Sequence, residues 1–170
     1  EHRGWVIELP SHQLTYLNPA INTIFGFSAS DFYNDPSLWT KQQHPDDAAY
    51  VLGLETAVLE QGFYDAEYRI RHANGEVRWL HDRSWLVRNE HGEPIRIEGI
   101  ASDITEQKLA KEALQASEEQ YRSLIESSEA AISMVDGDGR YLYLNAICAL
   151  PFGVPPESLI GKTVQDLFPP

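Results

Sequence analysis

Apolar and polar residues alternate most sharply at 64–71. There Tyr64, Ala66, Tyr68 and Ile70 interleave with Asp65, Glu67, Arg69 and Arg71. A period of two puts one set on each face of a half-buried strand. Asn74-Gly75 is the strongest hairpin signal in the chain, because both residues tolerate the positive φ of a tight turn. Val77, Trp79 and their neighbours carry the return strand through Trp85 and Val87, and Ile95 to Ile100 supply the next after the turn at Asn89-Glu90-His91-Gly92. Upstream, Gly4 to Leu9 and Leu14 to Leu17 read as two further strands around the turn Pro10-Ser11-His12.

Between the strand pair and the strand triplet the period shifts toward 3.6. Asn18-Pro19 opens a short helix, with Asn as cap and Pro at the first helical position. Ile21, Ile24 and Phe25 share one of its faces, and Gly26 ends it. Ser28 to Asp31 and Asp35 to Ser37 start two more helical turns. His44-Pro45-Asp46-Asp47 launches a longer helix through Gln61, whose apolar Val51, Leu54, Val58 and Leu59 keep the helical period, and Gly62 stops it. Two strands, several helices and three strands predict an α+β domain: one five-stranded antiparallel sheet with helices on one face.

From Thr105 the composition turns to Glu, Lys, Gln and Ala. Ala110, Leu114, Ser117, Tyr121 and Leu124 are spaced four, three, four and three, a short heptad seam. Small residues at Ala110 and Ser117 make it a weak coiled coil. Beyond it the chain partly copies itself: Tyr16-Leu17-Asn18 reappears as Tyr143-Leu144-Asn145, and at the same offset Phe25-Gly26 returns as Phe152-Gly153. The repeat length is that of a domain plus connector. The organisation expected is a complete domain at 1–106, a connector helix at 105–126, and the N-terminal half of a second domain at 121–170. Lacking its later strands, that half-unit is expected to be disordered or to pair with another chain. The start at Glu1-His2-Arg3, with no initiator Met, suggests a piece of a longer polypeptide.

A net charge of -13 repels phosphate backbones and argues against nucleic acid as a partner. One cysteine, Cys148, excludes an internal disulfide and a cysteine-based zinc site, and suits a reducing, cytoplasmic setting. No run approaches the roughly 20 apolar residues of a membrane span. Any membrane contact would come through other parts of the parent.

Six segments now converge: Tyr16-Leu17-Asn18-Pro19, Phe25-Gly26-Phe27-Ser28, His44-Pro45-Asp46-Asp47, Glu67 to Arg71, Asn74 to Trp79, and Asp103-Ile104-Thr105. In this order and spacing they resemble a PAS domain, more narrowly the PAS-3 type with its C-terminal strand motif. The match covers residues 4–106, and 121–170 resembles the first half of another, with Leu159-Ile160-Gly161-Lys162 in the expected place. The resemblance implies a sensory module that binds a small molecule between sheet and helices, or nothing. It implies a homodimer, and a change passed through the C-terminal helix to a downstream histidine kinase or diguanylate cyclase domain of a bacterial signalling protein. Asp103 and Thr105 match the exit motif, where a carboxylate and a hydroxyl can cap the new helix.

The chemistry available narrows this. Haem-binding members use a histidine on the long helix, which here carries Tyr50 and Glu55 but no His; His44 lies just before it, in a loop or capping place. The photoactive flavin adduct needs a cysteine that the complete domain lacks. The cofactor is therefore left open, with haem and flavin adduct disfavoured. His81 and Asp82 are strand neighbours on opposite faces and form no dyad. Asp136-Gly137-Asp138-Gly139 reads as a hairpin turn rather than a metal or phosphate loop. No catalytic constellation appears. Candidate pocket residues are Phe25, Phe32, Trp39, Leu54, Val58, Tyr68, Ile70 and Trp79; the relay candidates are Asp103 and Thr105, and the seam named above is the candidate dimer contact. Trp79 and Trp85 share a strand face that a second subunit or an upstream helix could cover. The alternative function is a ligand-free interaction and dimerisation module.

Overall fold

The alternating segments pair into one antiparallel sheet in the computed structural model, which describes residues 3–167. Its strands are β1 (Arg3–Glu8), β2 (Gln13–Leu17), β3 (Phe63–Arg71), β4 (Val77–Arg88) and β5 (Pro94–Asp103), in the spatial order β2-β1-β5-β4-β3. The three later strands form a meander, and β1 returns to lie beside β5, with Trp5 opposite Gly99. Between β2 and β3 run α1 (Asn22–Phe25), α2 (Ala29–Asn34), α3 (Leu38–Lys41) and α4 (Ala48–Gln61).

Local chemistry explains these short elements. Asn18 accepts from the Ala20 N–H and Pro19 follows it, so the entry to the first turn is capped and φ is preset. Ser28 and Asp31 form a reciprocal capping box on α2. Gly26 closes α1 at φ 77° with His72 and Ala73 so close that a Cβ would overlap them, so this position needs both the left-handed backbone and the missing side chain. The acids before α4 depart from expectation. Asp47 does not cap that helix with its side chain. Its carboxylate accepts instead from Arg69 of β3, at the backbone N–H (2.8 Å), Nε (2.9 Å) and Nη2 (2.6 Å). A bidentate guanidinium pair outbids a single weak cap and ties the start of α4 to the sheet.

The core lies between the inner sheet face and these helices. Ala66, Tyr68 and Ile70 of β3, Leu80 of β4 and Ile97 of β5 meet Ile21, Ile24, Phe25, Phe32, Val51, Leu54 and Val58, all buried. Phe25, Phe32 and Trp39 form an aromatic knot with centroids 5.1–6.0 Å apart.

The helix α5 spans Thr105–Glu126 without a break, and the chain divides into two compact units between Ala110 and Lys111 within it. In the second unit β6 (Ser133–Val135) pairs with β7 (Tyr141–Leu144), followed by α6 (Ala146–Ala149) and α7 (Val164–Leu167). Tyr141, Leu144, Ala149 and Leu159 form its small core, with Cys148 at the margin. Asn145 is fully buried there with every valence used. Its Nδ2 donates to the Ile125 and Ala130 carbonyls and its Oδ1 accepts from the Ile132 and Cys148 N–H groups. Asp136 closes the β6–β7 turn by accepting from Asp138 and Arg140. Among the described residues no helix is long and apolar enough to cross a membrane, and no group of His, Cys, Asp and Glu could hold a metal ion.

Candidate functional site

Between α4 and the inner sheet face of the first unit lies a cavity of about 460 Å³, within the usual range of small-molecule sites. Val51, Leu54, Val58 and Leu59 of α4 form one wall, and Trp5, Leu17 and Ile97 of the sheet the other, with Trp39 beside them. His12, Thr40, Glu55 and Thr56 line it too and are exposed, so they mark its rim.

The floor is polar. Tyr64 and Tyr68, both lining the cavity, donate their hydroxyls to the same oxygen, Oδ2 of Asp82, at 2.9 and 2.8 Å. Asp82 is fully buried beneath them. Burial raises its carboxyl above the usual range, opposed by the hydrogen bonds from Tyr68 and Tyr64 and by the nearness of the Trp5 indole. The same burial and the neighbouring carboxylate push both phenols well above their ordinary range, so each keeps its proton and donates it downward. Asp82 Oδ1 and Trp5 Nε1 are buried without a partner in hydrogen-bonding geometry. Trp5 lies where it does because Gly99 opposite it has no side chain; a Cβ there would overlap the indole ring.

A second polar assembly sits where β5 becomes α5. Asp103 Oδ1 accepts from the Thr105 N–H at 2.9 Å and from its hydroxyl, and Thr105 Oγ1 accepts from the Trp79 N–H of β4 at 3.0 Å. Arg78 stands 3.5 Å from the other Asp103 oxygen and donates to the Thr23 carbonyl of α1. The first turn of α5 is thus tied to the neighbouring strand and, through Arg78, to the helical layer. Lys108 of the same turn lies over the Trp79 ring at 4.9 Å and pairs with Glu67 at 2.5 Å, while Arg69 approaches the ring at 5.7 Å.

Against known families, a model described as the PAS fold, of the PAS-3 type, matches residues 14–101, and a second PAS-fold model, of the PAS-4 type, matches 125–170. The chain belongs to the PAS-fold family. Among its relatives is the two-component sensor PprA of Pseudomonas aeruginosa, 33% identical over 123 residues, 72% of this chain and 13% of that protein. A sensory box histidine kinase/response regulator structure from Burkholderia thailandensis superposes with a TM-score of 0.56 at 32% identity, covering 72% of this chain and 91% of that one. The N-terminal domain of a diguanylate cyclase with PAS/PAC sensor from Marinobacter aquaeolei gives 0.57 at 25% identity, covering 64% and 99%. This PAS chain spans a third or less of the length of the curated relatives it matches.

Of the expected pocket residues, Trp39, Leu54, Val58 and Tyr68 line the cavity. Phe25, Phe32 and Ile70 do not: they are packed solid behind it. Trp79 is a correction of a different kind. It pairs with Arg69, one residue out of phase with the inward Tyr68 and Leu80, and so stands on the outer sheet face. Within the first unit Arg69 and Lys108 lie over its ring, and it remains half-buried. Trp85 shares that face, 44% exposed opposite Phe63. The seam residues Ala110, Leu114, Tyr121 and Leu124 are exposed, and Ser117 is half-buried. The residue that sequence reasoning missed is Asp82. Its signal was present: it occupies the inward register of β4 between Leu80 and Ser84, where a carboxylate demands partners.

Proposed function

We propose that this chain is the sensory segment of a signalling protein, in which occupancy of the first-unit cavity is relayed through α5 to a downstream histidine kinase or diguanylate cyclase domain. One observation carries the reading: the cavity floor and the exit clasp share two adjacent strands. Tyr68 of β3 faces the cavity, its neighbour Arg69 pairs with Trp79 of β4, and the Trp79 N–H is held by Thr105 at the start of α5. A ligand that moves Tyr68 has a two-residue path to the helix cap, and a cap with two arrangements is the element a switch requires. The relatives, which include a two-component sensor and a domain of a diguanylate cyclase, support an output domain of either kind.

The test is output activity of the full-length parent carrying Trp39→Leu or Thr105→Val, with folding checked by circular dichroism. A change in basal or stimulated output with an intact fold supports the reading. Unaltered output from both variants overturns it. A second reading, dimerisation or partner binding without a ligand, is favoured by the exposed Phe63–Trp85 pair and the exposed seam of α5. Output lost on Leu114→Glu but untouched by Trp39→Leu would select it.

A further inference from the structure

The polarity of the cavity floor bears on what the cavity would take. A phenol hydroxyl has one proton to donate and lone pairs to accept with. Tyr64 and Tyr68 both spend that proton on Asp82 Oδ2. What they can offer a molecule in the cavity is acceptor capacity alone. Burial and the Asp82 carboxylate hold both phenols protonated, so neither turns round to donate without abandoning a buried acid. Of the nitrogen donors in the lining, Trp5 Nε1 is buried and close enough to Asp82 to favour the ionised acid, while the Trp39 indole belongs to the apolar wall and His12 to the rim, both away from the phenol floor. Charge acts in the same direction. Asp82 lies under the floor and Glu55 on the rim, facing only His12 as a cationic candidate. An anion entering here would meet the Glu55 carboxylate, the buried acid of Asp82 and oxygen lone pairs, and among the described residues no lysine or arginine lines the site.

Resting on the ligand-sensing reading above, we infer that the cavity selects an uncharged, largely apolar molecule carrying a hydroxyl or N–H donor, which it engages through the Tyr64 and Tyr68 oxygens, and that it rejects carboxylates and phosphates. The apolar walls of Trp5, Trp39, Leu54 and Val58 hold the body of the molecule, and the floor reads its single donor. An analogue of the same shape without the donor leaves the phenol oxygens unpaired in a desolvated site, the circumstance in which discrimination is strong.

Three naphthalenes of similar shape isolate this term: 2-naphthol, 2-methoxynaphthalene and 2-naphthoate, titrated calorimetrically into the full 170-residue chain at neutral pH. The expected result is that 2-naphthol binds about 10-fold or more tightly than either of the others. In Tyr64→Phe/Tyr68→Phe its advantage over 2-methoxynaphthalene is expected to shrink to about 3-fold or less, because both acceptors are gone. Should that variant fail to fold, Tyr64→Phe alone, at the less buried of the two, is expected to reduce the advantage in part. If 2-methoxynaphthalene or 2-naphthoate binds as tightly as 2-naphthol, the inference is wrong although the cavity still takes ligands and the sensory reading stands. If none of the three binds, the inference falls together with the cavity as a site for such molecules, while the parent's output assay still decides the relay.

Discussion

Tyr68 and Asp82 meet across the inner sheet face with the phenol oxygen 2.8 Å from Oδ2, both side chains withdrawn from solvent. Asp82 pairs with Ala66, so Tyr68 is its diagonal neighbour, at a separation that suits an aromatic side chain reaching across a strand. Removing the hydroxyl leaves a buried carboxylate with one donor fewer. Tyr68→Phe is expected to lower stability by about 1–3 kcal/mol, read as a lower urea midpoint with an unchanged slope. A midpoint equal to that of the parent sequence would mean that the bond contributes nothing.

Two carboxylates of the first unit respond to pH in opposite directions. Burial raises Asp82, so the folded state holds that proton more tightly than the unfolded one. Its contribution is greatest below a pH of about 4, the unfolded value, and is lost as pH rises through the higher folded value. Asp47 is lowered chiefly by its hydrogen bond from Arg69. Its contribution is present above a pH of about 4 and is lost as pH falls through the depressed folded value. Asp82→Asn is therefore expected to gain stability relative to the parent sequence as pH rises from about 4 toward neutrality, and Asp47→Asn to flatten the loss on the acid side. Urea midpoints measured across this range check both. Parallel curves for the parent and Asp82→Asn would show that folding does not perturb Asp82.

The fold was legible because its signals are local. Alternation at residues 64–71 set the faces of β3, Asn74-Gly75 set the hairpin, and Gly26 and Gly62 mark helix ends with the left-handed geometry that glycine permits. The site was only half legible. Tyr68 and Leu54 follow from periodicity, since inward positions of a strand and a helix must face the same interior. Which inward residues border empty space, and which pack solid like Phe25 and Phe32, depends on the fit between non-adjacent elements, which no local pattern encodes. Trp79 has the aromatic character of a pocket residue but the strand parity of the outer face, and parity decides where it stands. The partners of Asp82 lie on another strand, and only register brings them together.

Gly99 is the position where adding one carbon does the most to the cavity wall. A Cβ there would overlap the Trp5 indole across the β1–β5 pair. Gly99→Ala is expected to displace Trp5, cost about 1–3 kcal/mol through overpacking, and shift tryptophan fluorescence. Gly53, with open space around its would-be Cβ, is the control: Gly53→Ala on α4 is expected to be neutral or stabilising by up to about 1 kcal/mol.

The seam of α5 leaves Leu114, Tyr121 and Leu124 with 59–65% of their surface exposed on one helix stripe. Burying such a stripe against a second copy is favourable, but the small residues at Ala110 and Ser117 limit the gain. Weak, concentration-dependent dimerisation is expected by sedimentation equilibrium, abolished by Leu114→Glu with Leu124→Glu. A monomer at all concentrations would remove the seam as a contact.

Thr105 has three hydrogen-bonding roles at the exit from the sheet. Its hydroxyl donates to Asp103, its Oγ1 accepts from the Trp79 N–H, and its own N–H returns to Asp103. Valine keeps the shape and loses both hydroxyl bonds. The Trp79 amide would then have no acceptor in that direction, and the first turn of α5 would rest on the backbone bond from the Lys108 N–H to the Ile104 carbonyl and on the Lys108 contacts with Glu67 and Trp79. Thr105→Val is expected to cost about 0.5–1.5 kcal/mol in global stability. Locally it is expected to speed hydrogen exchange at Trp79 and Lys108 more than at the core amides of β3. That asymmetry distinguishes a broken junction from general loosening, because local opening reports on the bonds of the exit and global unfolding reports on all of them. Equal acceleration throughout the sheet would mean that Thr105 is an ordinary stabilising residue, and the path from cavity floor to helix would lose its last link.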